Sequence, residues 1–243
     1  MRGSRQMSKG QWKAFRKLTG KCYENMAGVA GSRDHDCWDK AFEVLQEIIA
    51  DGRNERADYA LELYQLDEMT DYEYDVQGWL EDYLDELDTR EEKGKILKVC
   101  DTLLGMFRWK EDNPSEIKLM KAMALYGLGE NAAAVDFCRH WLEEEPDNIV
   151  AVTASVYAYT ANGDMKDAEE LIQGHIKEDT QCTEENDILF TAAAAYYKVS
   201  GNKKAYKRID DALEAYDKYL EEFFLGDGED DGFEWDDDDL PFN

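Results

Sequence analysis

Two stretches of this chain, "MKAMALYGLGENAAAVDFCRHWLEEEPDN" (120–148) and "VTASVYAYTANGDMKDAEELIQGHIKEDT" (152–180), share one pattern that indicates the fold class. Each places a glycine between two segments whose apolar residues recur at helical spacing. These glycines, Gly129 and Gly163, are 34 residues apart, and an alanine follows each of them by five residues. The pattern predicts two antiparallel helix pairs. Because one pair cannot bury both of its faces alone, we expect the pairs to stack.

The same organisation extends in both directions along the chain. A third copy, "ILFTAAAAYYKVSGNKKAYKRIDDALEAY" (188–216), places Gly201 after a similar helix, 38 residues beyond Gly163. Upstream, residues 36–66 and 72–108 are predicted to be more divergent pairs. The predicted fold is therefore all-α, an α-solenoid of about five stacked antiparallel helix pairs over 35–223.

The pattern resembles the tetratricopeptide repeat family, with one repeat at 115–148 and the next at 149–182. Small, large and turn-forming residues stand at the positions where that family has them: Ala122 and Val156, Leu125 and Tyr159, Gly129 and Gly163, Ala134 and Ala168, and Pro146 in the first copy only. The sequence departs from the family at four positions, which are Lys118, Lys121, Trp141 and His175.

The resemblance implies a concave groove that is lined by the first helix of each pair. The family positions that face a ligand correspond to Leu119, Met123, Tyr126, Thr153, Tyr157 and Thr160. The lysines and asparagines that clamp a peptide carboxylate in some family members are missing here, so an extended or helical protein segment with apolar anchors is the expected ligand. In the alternative interpretation, some of these side chains only pack against the next repeat.

The upstream half is predicted from local signals. Asp36 is the expected N-cap of a helix that Gly52 ends, and a second helix is expected over about 54–66. Residues 67–88 hold ten acids and no base, yet their apolar residues are periodic. They are predicted to form one amphipathic helix with the inward residues Tyr72, Val76, Trp79, Leu80, Tyr83, Leu84 and Leu87.

Residues 1–34 are predicted to be a basic helix followed by a loop. The first 23 residues carry seven lysines and arginines and no acid, and Trp12, Phe15, Leu18 and Cys22 are spaced by three or four. This helix either docks its apolar stripe on the next helix or contacts an anionic lipid, RNA or acidic peptide.

Residues 224–243 are predicted to be a disordered acidic tail, since 226–243 carry nine acids and no base. The tip resembles the acidic tip of bacterial single-stranded-DNA-binding proteins, through Asp236, Asp237, Asp238, Asp239, Leu240, Pro241 and Phe242. That resemblance implies the alternative function, a partner of DNA replication and repair enzymes that is recruited through the tail, although Asn243 displaces the free carboxylate. A third possibility is pairing of the tail with the basic first helix.

Charge and cysteine content narrow the class of partner. The net charge of −28 disfavours a general nucleic-acid binder and favours a basic protein or peptide. The five cysteines lack a CxxC spacing and are typical of a reducing compartment, and no apolar run is long enough to span a membrane. The expected location is the cytoplasm; the oligomeric state is left open.

No pattern indicates catalysis, a cofactor or a metal. The three histidines have no partners at metal or catalytic spacing, and "GLGENAAAV" (127–135) follows a helix rather than the strand a nucleotide loop requires. Residues 227–238 match a calcium loop only loosely. The sequence therefore predicts a non-catalytic adaptor that binds a protein segment in the groove of its helical repeats.

Overall fold

The computed structural model describes residues 2–28 and 35–225, and in that part of the chain every regular element is a helix. The chain divides into two compact units, residues 1–130 and 131–243. The first unit contains α1 (Arg2–Met26), α2 (Asp36–Glu55), α3 (Tyr64–Glu68), α4 (Val76–Thr89), α5 (Lys93–Met106) and α6 (Ser115–Gly127). The second contains α7 (Asn131–Glu144), α8 (Ile149–Asn162), α9 (Met165–His175), α10 (Asp187–Ser200) and α11 (Lys203–Leu225).

Helices that are adjacent in sequence pack against each other within each unit. In the first unit α1 packs on α2, and α5 packs on both α4 and α6. In the second unit α8 packs on α7, α9 and α10, and α10 also packs on α11. The all-α prediction is confirmed for the described residues.

Aromatic side chains dominate the core of the first unit. The rings of Trp38 and Tyr83 stack with centroids 6.0 Å apart, and Trp79 stacks on both at 5.9 and 5.5 Å. From α1, the ring of Phe15 meets the Trp79 ring edge-on at 5.1 Å. Each such pair adds about 0.5–1.5 kcal/mol beyond the area it buries.

The basic helix α1 therefore belongs to this core. Phe15 and Cys22 are fully buried and Trp12 nearly so, while the lysines between them are exposed. The docked interpretation of the N-terminal helix is the one the structure shows.

Three glycines end helices as the sequence predicts. Gly129, Gly163 and Gly201 have φ of 75°, 88° and 74°, a left-handed conformation that other residues adopt at a cost. After α8, the Asp164 N–H donates to the Tyr159 carbonyl at 2.9 Å and the Gly163 N–H donates to the Thr160 carbonyl at 3.2 Å. This is the Schellman arrangement, which satisfies the last carbonyls of the helix.

The alanines that follow these turns allow close approach between helices. Ala134 on α7 and Ala168 on α9 are both buried, with at most 1% of their surface exposed. Trp141, at a position where the family prefers a small residue, is also buried, on α7.

Two predictions around α2 are wrong. Asp36 begins α2 as its first helical residue, and His35 stands at the N-cap, where its side chain makes no capping hydrogen bond to the helix. Gly52 does not end the helix, which continues to Glu55. Gly52 is needed for another reason, because a Cβ there would lie 2.4 Å from the ring of Tyr59.

The helix predicted over 54–66 is also wrong. After Glu55 the chain turns, and only α3 is helical, over Tyr64–Glu68. Two hydrogen bonds from the Arg53 guanidinium hold this turn, to the carbonyls of Tyr59 at 3.2 Å and Ala60 at 2.7 Å. Ala60 has a φ of 44°, which a continuous helix does not allow.

The acidic segment 67–88 is not one helix, because α3 ends at Glu68 and α4 begins only at Val76. The inward residues from Val76 to Leu87 are buried on α4, as predicted, whereas Tyr72 is 67% exposed. Asp71, Tyr72 and Asp75 have positive φ, so a turn precedes the helix. The residues from 226 onward, with the whole predicted tail motif, lie outside the described residues.

Candidate protein-binding groove

A groove opens in the first unit between α4 and α6, which both pack on α5. It has a volume of about 450 Å³, and the buried side chain of Leu103 on α5 lies at its floor. We call this surface the α4–α6 groove. It is lined by Leu63, Gln77, Leu80, Glu81, Leu84, Asp85, Leu103, Trp109, Asp112, Asn113, Glu116, Ile117, Leu119 and Met120.

The segment after α5 lines part of the groove. The Arg108 N–H donates to the Leu61 carbonyl at 2.8 Å, and the Lys110 N–H donates to the buried Glu62 carboxylate at 3.0 Å. The carboxylate of Asp112 accepts a hydrogen bond from the Tyr64 N–H at 3.0 Å. These bonds place the half-buried ring of Trp109 at the groove wall.

The floor of the groove is apolar, and α4, α5 and α6 each contribute side chains to it. Leu80 and Leu84 face it from successive turns of α4, and Leu119 and Met120 face it from α6. The leucines of α4 are buried, whereas the α6 residues are half-buried and so keep part of their apolar surface accessible.

The rim of the groove is acidic. It carries four carboxylates, from Glu81, Asp85, Asp112 and Glu116, and no lysine, arginine or histidine is among the described residues that line it. Partial burial, followed by repulsion from the carboxylates of Glu116, Asp75, Asp82 and Asp85, raises the pKa of Glu81 above its usual 4.5. A cation bound at this rim would relieve that repulsion.

The predicted groove residues on α6 have different positions relative to this groove. Leu119 lines it, while Met123 and Tyr126 lie further along α6 and outside the lining. Met123 is half-buried and Tyr126 is 47% exposed.

The predicted residues on α8 belong to the second unit. Thr153 is buried, and its hydroxyl donates to the Ile149 carbonyl at 2.8 Å. The hydroxyl of half-buried Thr160 donates to the Val156 carbonyl at 2.6 Å. Tyr157 is half-buried, and burial raises the pKa of its phenol.

The α4 side of the groove was not predicted from the sequence. Helical spacing predicts only that Leu80 and Leu84 face inward, and it assigns no role to Glu81 and Asp85. A leucine followed directly by an acid occurs at 80–81 and again at 84–85. Residues four apart lie on the same side of a helix, so this repeat could have indicated the α4 side of the groove.

The histidines make local contacts in the described structure. A ring nitrogen of His140 lies 2.7 Å from the Asp136 carbonyl oxygen, and one of His175 lies 3.0 Å from that of Leu171. His35 lies 3.1 Å from the Glu86 carboxylate. Within residues 2–28 and 35–225, no three histidine, cysteine, aspartate or glutamate side chains converge to hold a metal ion.

The five cysteines are free thiols, and all but Cys182 are buried. None of the helices in the described part of the chain is both long and apolar enough to cross a membrane.

No family model matches this sequence, and no curated protein or solved structure is significantly similar to it. The resemblance to tetratricopeptide repeats therefore rests on the residues and turns described above. The tail hypothesis stays a prediction from the sequence, because 236–242 are not among the described residues.

Proposed function

We propose that this chain is a non-catalytic interaction scaffold that binds a basic protein segment with apolar anchors in the α4–α6 groove. The observation that carries the proposal is the combination of an apolar floor with four rim carboxylates and no lining base. A segment of that kind would fill the floor with its apolar side chains and place its lysines or arginines at the rim.

The two parts of the groove have different roles in this proposal. A fully buried leucine-sized anchor contributes about 1.5–3 kcal/mol, whereas an exposed ion pair contributes about 0–1 kcal/mol. The apolar floor therefore provides most of the affinity. The carboxylates provide the rate of association and the selectivity for basic segments.

We further infer that the helices within each unit pack in a tetratricopeptide-like stack. The support consists of the left-handed turn glycines, the buried alanines after Gly129 and Gly163, and the packing of sequential helices. In such a stack the first helices of successive pairs line one face, and in the first unit α4 and α6 both border the groove. Met123 and Tyr126 would extend that surface along α6.

Net charge and the state of the cysteines support the class of partner and the compartment that we propose. A chain with a charge of −28 repels phosphate backbones, so the ligand is a protein rather than a nucleic acid. Five free thiols, four of them buried, suit a reducing compartment such as the cytoplasm.

A selection experiment with random peptides tests the groove and assumes no particular client. Peptides displayed on phage and selected on the immobilised full chain should be enriched in lysine or arginine next to leucine, phenylalanine or tryptophan. Synthetic copies of the winners should bind the Glu81→Gln/Glu116→Gln variant about tenfold more weakly, because two rim charges are lost in a partly shielded site.

A charge-matched control separates the groove from general attraction. Glu143→Gln/Glu144→Gln removes the same charge from two exposed positions of α7. Its affinity for the peptides should stay within about twofold of the wild type, as expected for a surface charge outside the rim. Equal losses in both double variants would show that net charge alone attracts the peptides, and the proposal would fail.

A further inference from the structure

The last described helix of the second unit, α11, is longer than its partner α10. α10 has 14 residues and α11 has 23, and the two run antiparallel from the turn at Gly201. The excess of nine residues on α11 corresponds to about 14 Å of helix at its C-terminal end. The described residues that line the pocket beside that end come from α11 itself and from the loop 180–184.

This projecting end carries a continuous aromatic surface. Tyr219, Phe223 and Phe224 are 59%, 61% and 75% exposed, and Tyr216 and Leu220 beside them are half-buried. The rings form a chain, with centroid distances of 6.4 Å from Tyr216 to Tyr219 and 6.3 Å from Tyr219 to Phe223. Together with residues 180–184 they line a groove of about 1010 Å³, the α11 aromatic groove.

Exposure on this scale is unlike the rest of the described surface. The other exposed large apolar residues of the described chain are isolated, such as Ile188 and Val199, or lie in twos, such as Tyr23 with Met26 and Tyr126 with Leu128. Stacked helical repeats normally end in a helix with a polar outer face, because the last core face must be covered. A contiguous aromatic patch at that position instead marks an interaction surface.

The charges around the α11 aromatic groove are negative. Glu184 lines it, and Asp217, Glu221 and Glu222 lie on the same stretch of α11. Lys218 is the one base on α11 beyond Arg208, and its ammonium lies 3.7 Å from the Glu222 carboxylate.

The Cys182 thiol, which lines the groove, is sensitive to this negative charge. Burial and the carboxylates of Asp187 and Asp217 raise the pKa of Cys182 to about 11. The pocket and its surroundings thus disfavour another negative charge and favour a positive one.

Charge excludes the two occupants that the chain itself offers. A second copy that docked the same end of α11 here would bring two acidic helix ends together. The chain's own segment 226–243 carries nine acids and no base, so it would be repelled as well. A cationic partner removes both difficulties.

We propose that the α11 aromatic groove is a second binding surface, distinct from the α4–α6 groove, and that it receives a basic amphipathic helix of a partner protein. The helix occupies the place where a further helix of the stack would pack, with its apolar face on Tyr219, Phe223 and Phe224. Its lysines or arginines face Glu184 and the carboxylates of α11. Recognition of this type uses apolar anchors at helical spacing.

The test uses a designed helix and the full chain. The probe is a fluorescein-labelled peptide of about 18 residues, long enough to fold as a helix, with leucines on one face and lysines on the other. Fluorescence anisotropy should show binding that weakens steeply with added salt. The same peptide with glutamate in place of lysine should not bind.

Two matched variants locate the binding. Tyr219→Ser/Phe223→Ser/Phe224→Ser leaves every charge in place and should weaken the lysine peptide by about 30-fold, since aromatic anchors dominate such contacts. Tyr72→Ser/Val199→Ser removes exposed apolar surface elsewhere and should change affinity by less than about twofold. Circular dichroism should show unchanged helicity, because the substituted rings are mostly exposed.

Each alternative has a distinct result that overturns the proposal. Equal binding by the triple variant, or no binding at low salt, shows that the aromatic surface takes no basic helix. Self-association of the wild type that the triple variant abolishes identifies a second copy as the occupant. Tighter peptide binding by Leu240→Ser/Phe242→Ser identifies the tail as the occupant.

A further comparison keeps this proposal separate from the α4–α6 groove. Glu81→Gln/Glu116→Gln should leave the affinity of the lysine helix for the α11 aromatic groove unchanged. A loss in that variant together with full binding by the triple variant would assign the peptide to the α4–α6 groove and overturn the present inference.

Discussion

Gly52 shows how a single residue can be constrained by close packing rather than by backbone conformation. It lies inside α2, where three atoms of the Tyr59 ring would lie within 2.6 Å of an added Cβ. The ring is held in turn by the Arg56 guanidinium, 5.7 Å from its centroid. The turn after α2 therefore depends on the missing side chain.

Two glycine substitutions in the first unit should have opposite effects. Gly52→Ala should lower the free energy of unfolding by about 1–3 kcal/mol, because the ring must move. Gly20→Ala should raise it by about 0.5–1 kcal/mol, since nothing lies within 4 Å of that position in α1 and alanine favours helix. Urea denaturation followed by tryptophan fluorescence measures both, and stabilisation by Gly52→Ala would contradict the packing argument.

Asp39 is a second residue whose environment has a measurable consequence. Its carboxylate accepts hydrogen bonds from the Tyr83 hydroxyl and the Lys95 ammonium, both at 2.7 Å. Burial alone would raise the pKa of Asp39, but these two hydrogen bonds and the charge of Lys95 lower it below the usual 3.8. A folded-state pKa below the unfolded one means that this stabilisation is present above the usual value and is lost as pH falls through the folded-state pKa.

Asp39→Asn should therefore destabilise the protein at neutral pH but not in acid. We expect a loss of about 1 kcal/mol at pH 7, typical of a partly exposed charge-assisted hydrogen bond, and little difference at a pH well below 3.8. Glu47→Gln removes the same charge from an exposed position on α2 and serves as the control in urea titrations. If the free energies of unfolding of the two variants differed by the same amount at all pH values, the proposed link between Asp39 ionisation and stability would be wrong.

At the level of elements, α4 begins where it does because of a carboxylate outside the helix. The buried side chain of Asp67 accepts hydrogen bonds from the backbone N–H groups of Val76 at 2.6 Å and Gln77 at 3.1 Å. These are donors of the first turn that have no partner within the helix. Capping by a distant aspartate stabilises a turn over 69–75 in place of a longer helix.

Replacing this cap should destabilise α4 specifically. Asp67→Asn should cost about 1–2 kcal/mol, because it removes a buried charged acceptor of two backbone hydrogen bonds. Asp75→Asn should cost less, since the exposed Asp75 carboxylate accepts only from Gly78, at 3.4 Å. Hydrogen exchange of the first turn of α4 should accelerate only in the Asp67 variant, and equal effects would contradict the assigned cap.

For the whole molecule, the large excess of acidic residues has a consequence for binding: a cationic ligand in the α4–α6 groove should release protons. The net charge is −28, and the α4–α6 groove concentrates four of the carboxylates around an apolar floor. Because the pKa of Glu81 is raised above 4.5, part of the Glu81 population is protonated at mildly acidic pH. A cationic ligand favours the ionised form, so binding should expel protons.

The affinity of groove-selected peptides should rise with pH as Glu81 ionises, at a pH above the usual 4.5, and then level off. Calorimetry in buffers of different ionisation enthalpy would detect the released proton, and Glu81→Gln should reduce the release. A peptide affinity that is independent of pH in this range would rule out Glu81 as a contact.

Local pattern was sufficient for the helices of the second unit and for their glycine turns. Helical spacing of apolar residues and a left-handed glycine are properties of a few neighbouring residues, so α8, α10 and the turns at Gly163 and Gly201 were predictable. The stripe of α1 was predictable for the same reason, and its burial confirms that it faces a core.

The tertiary structure alone decided where helices stop and which leucines remain accessible. Residues 56–75 have helical spacing, but side-chain hydrogen bonds from Arg53 and Asp67, to backbone groups six to ten residues further along the chain, hold turns on either side of α3. The α4–α6 groove likewise joins residues from α4, α5 and α6, and its aromatic wall at Trp109 depends on hydrogen bonds across about 48 positions of sequence. Periodicity reports which face of a helix is apolar, whereas packing determines how much of that face its neighbours cover.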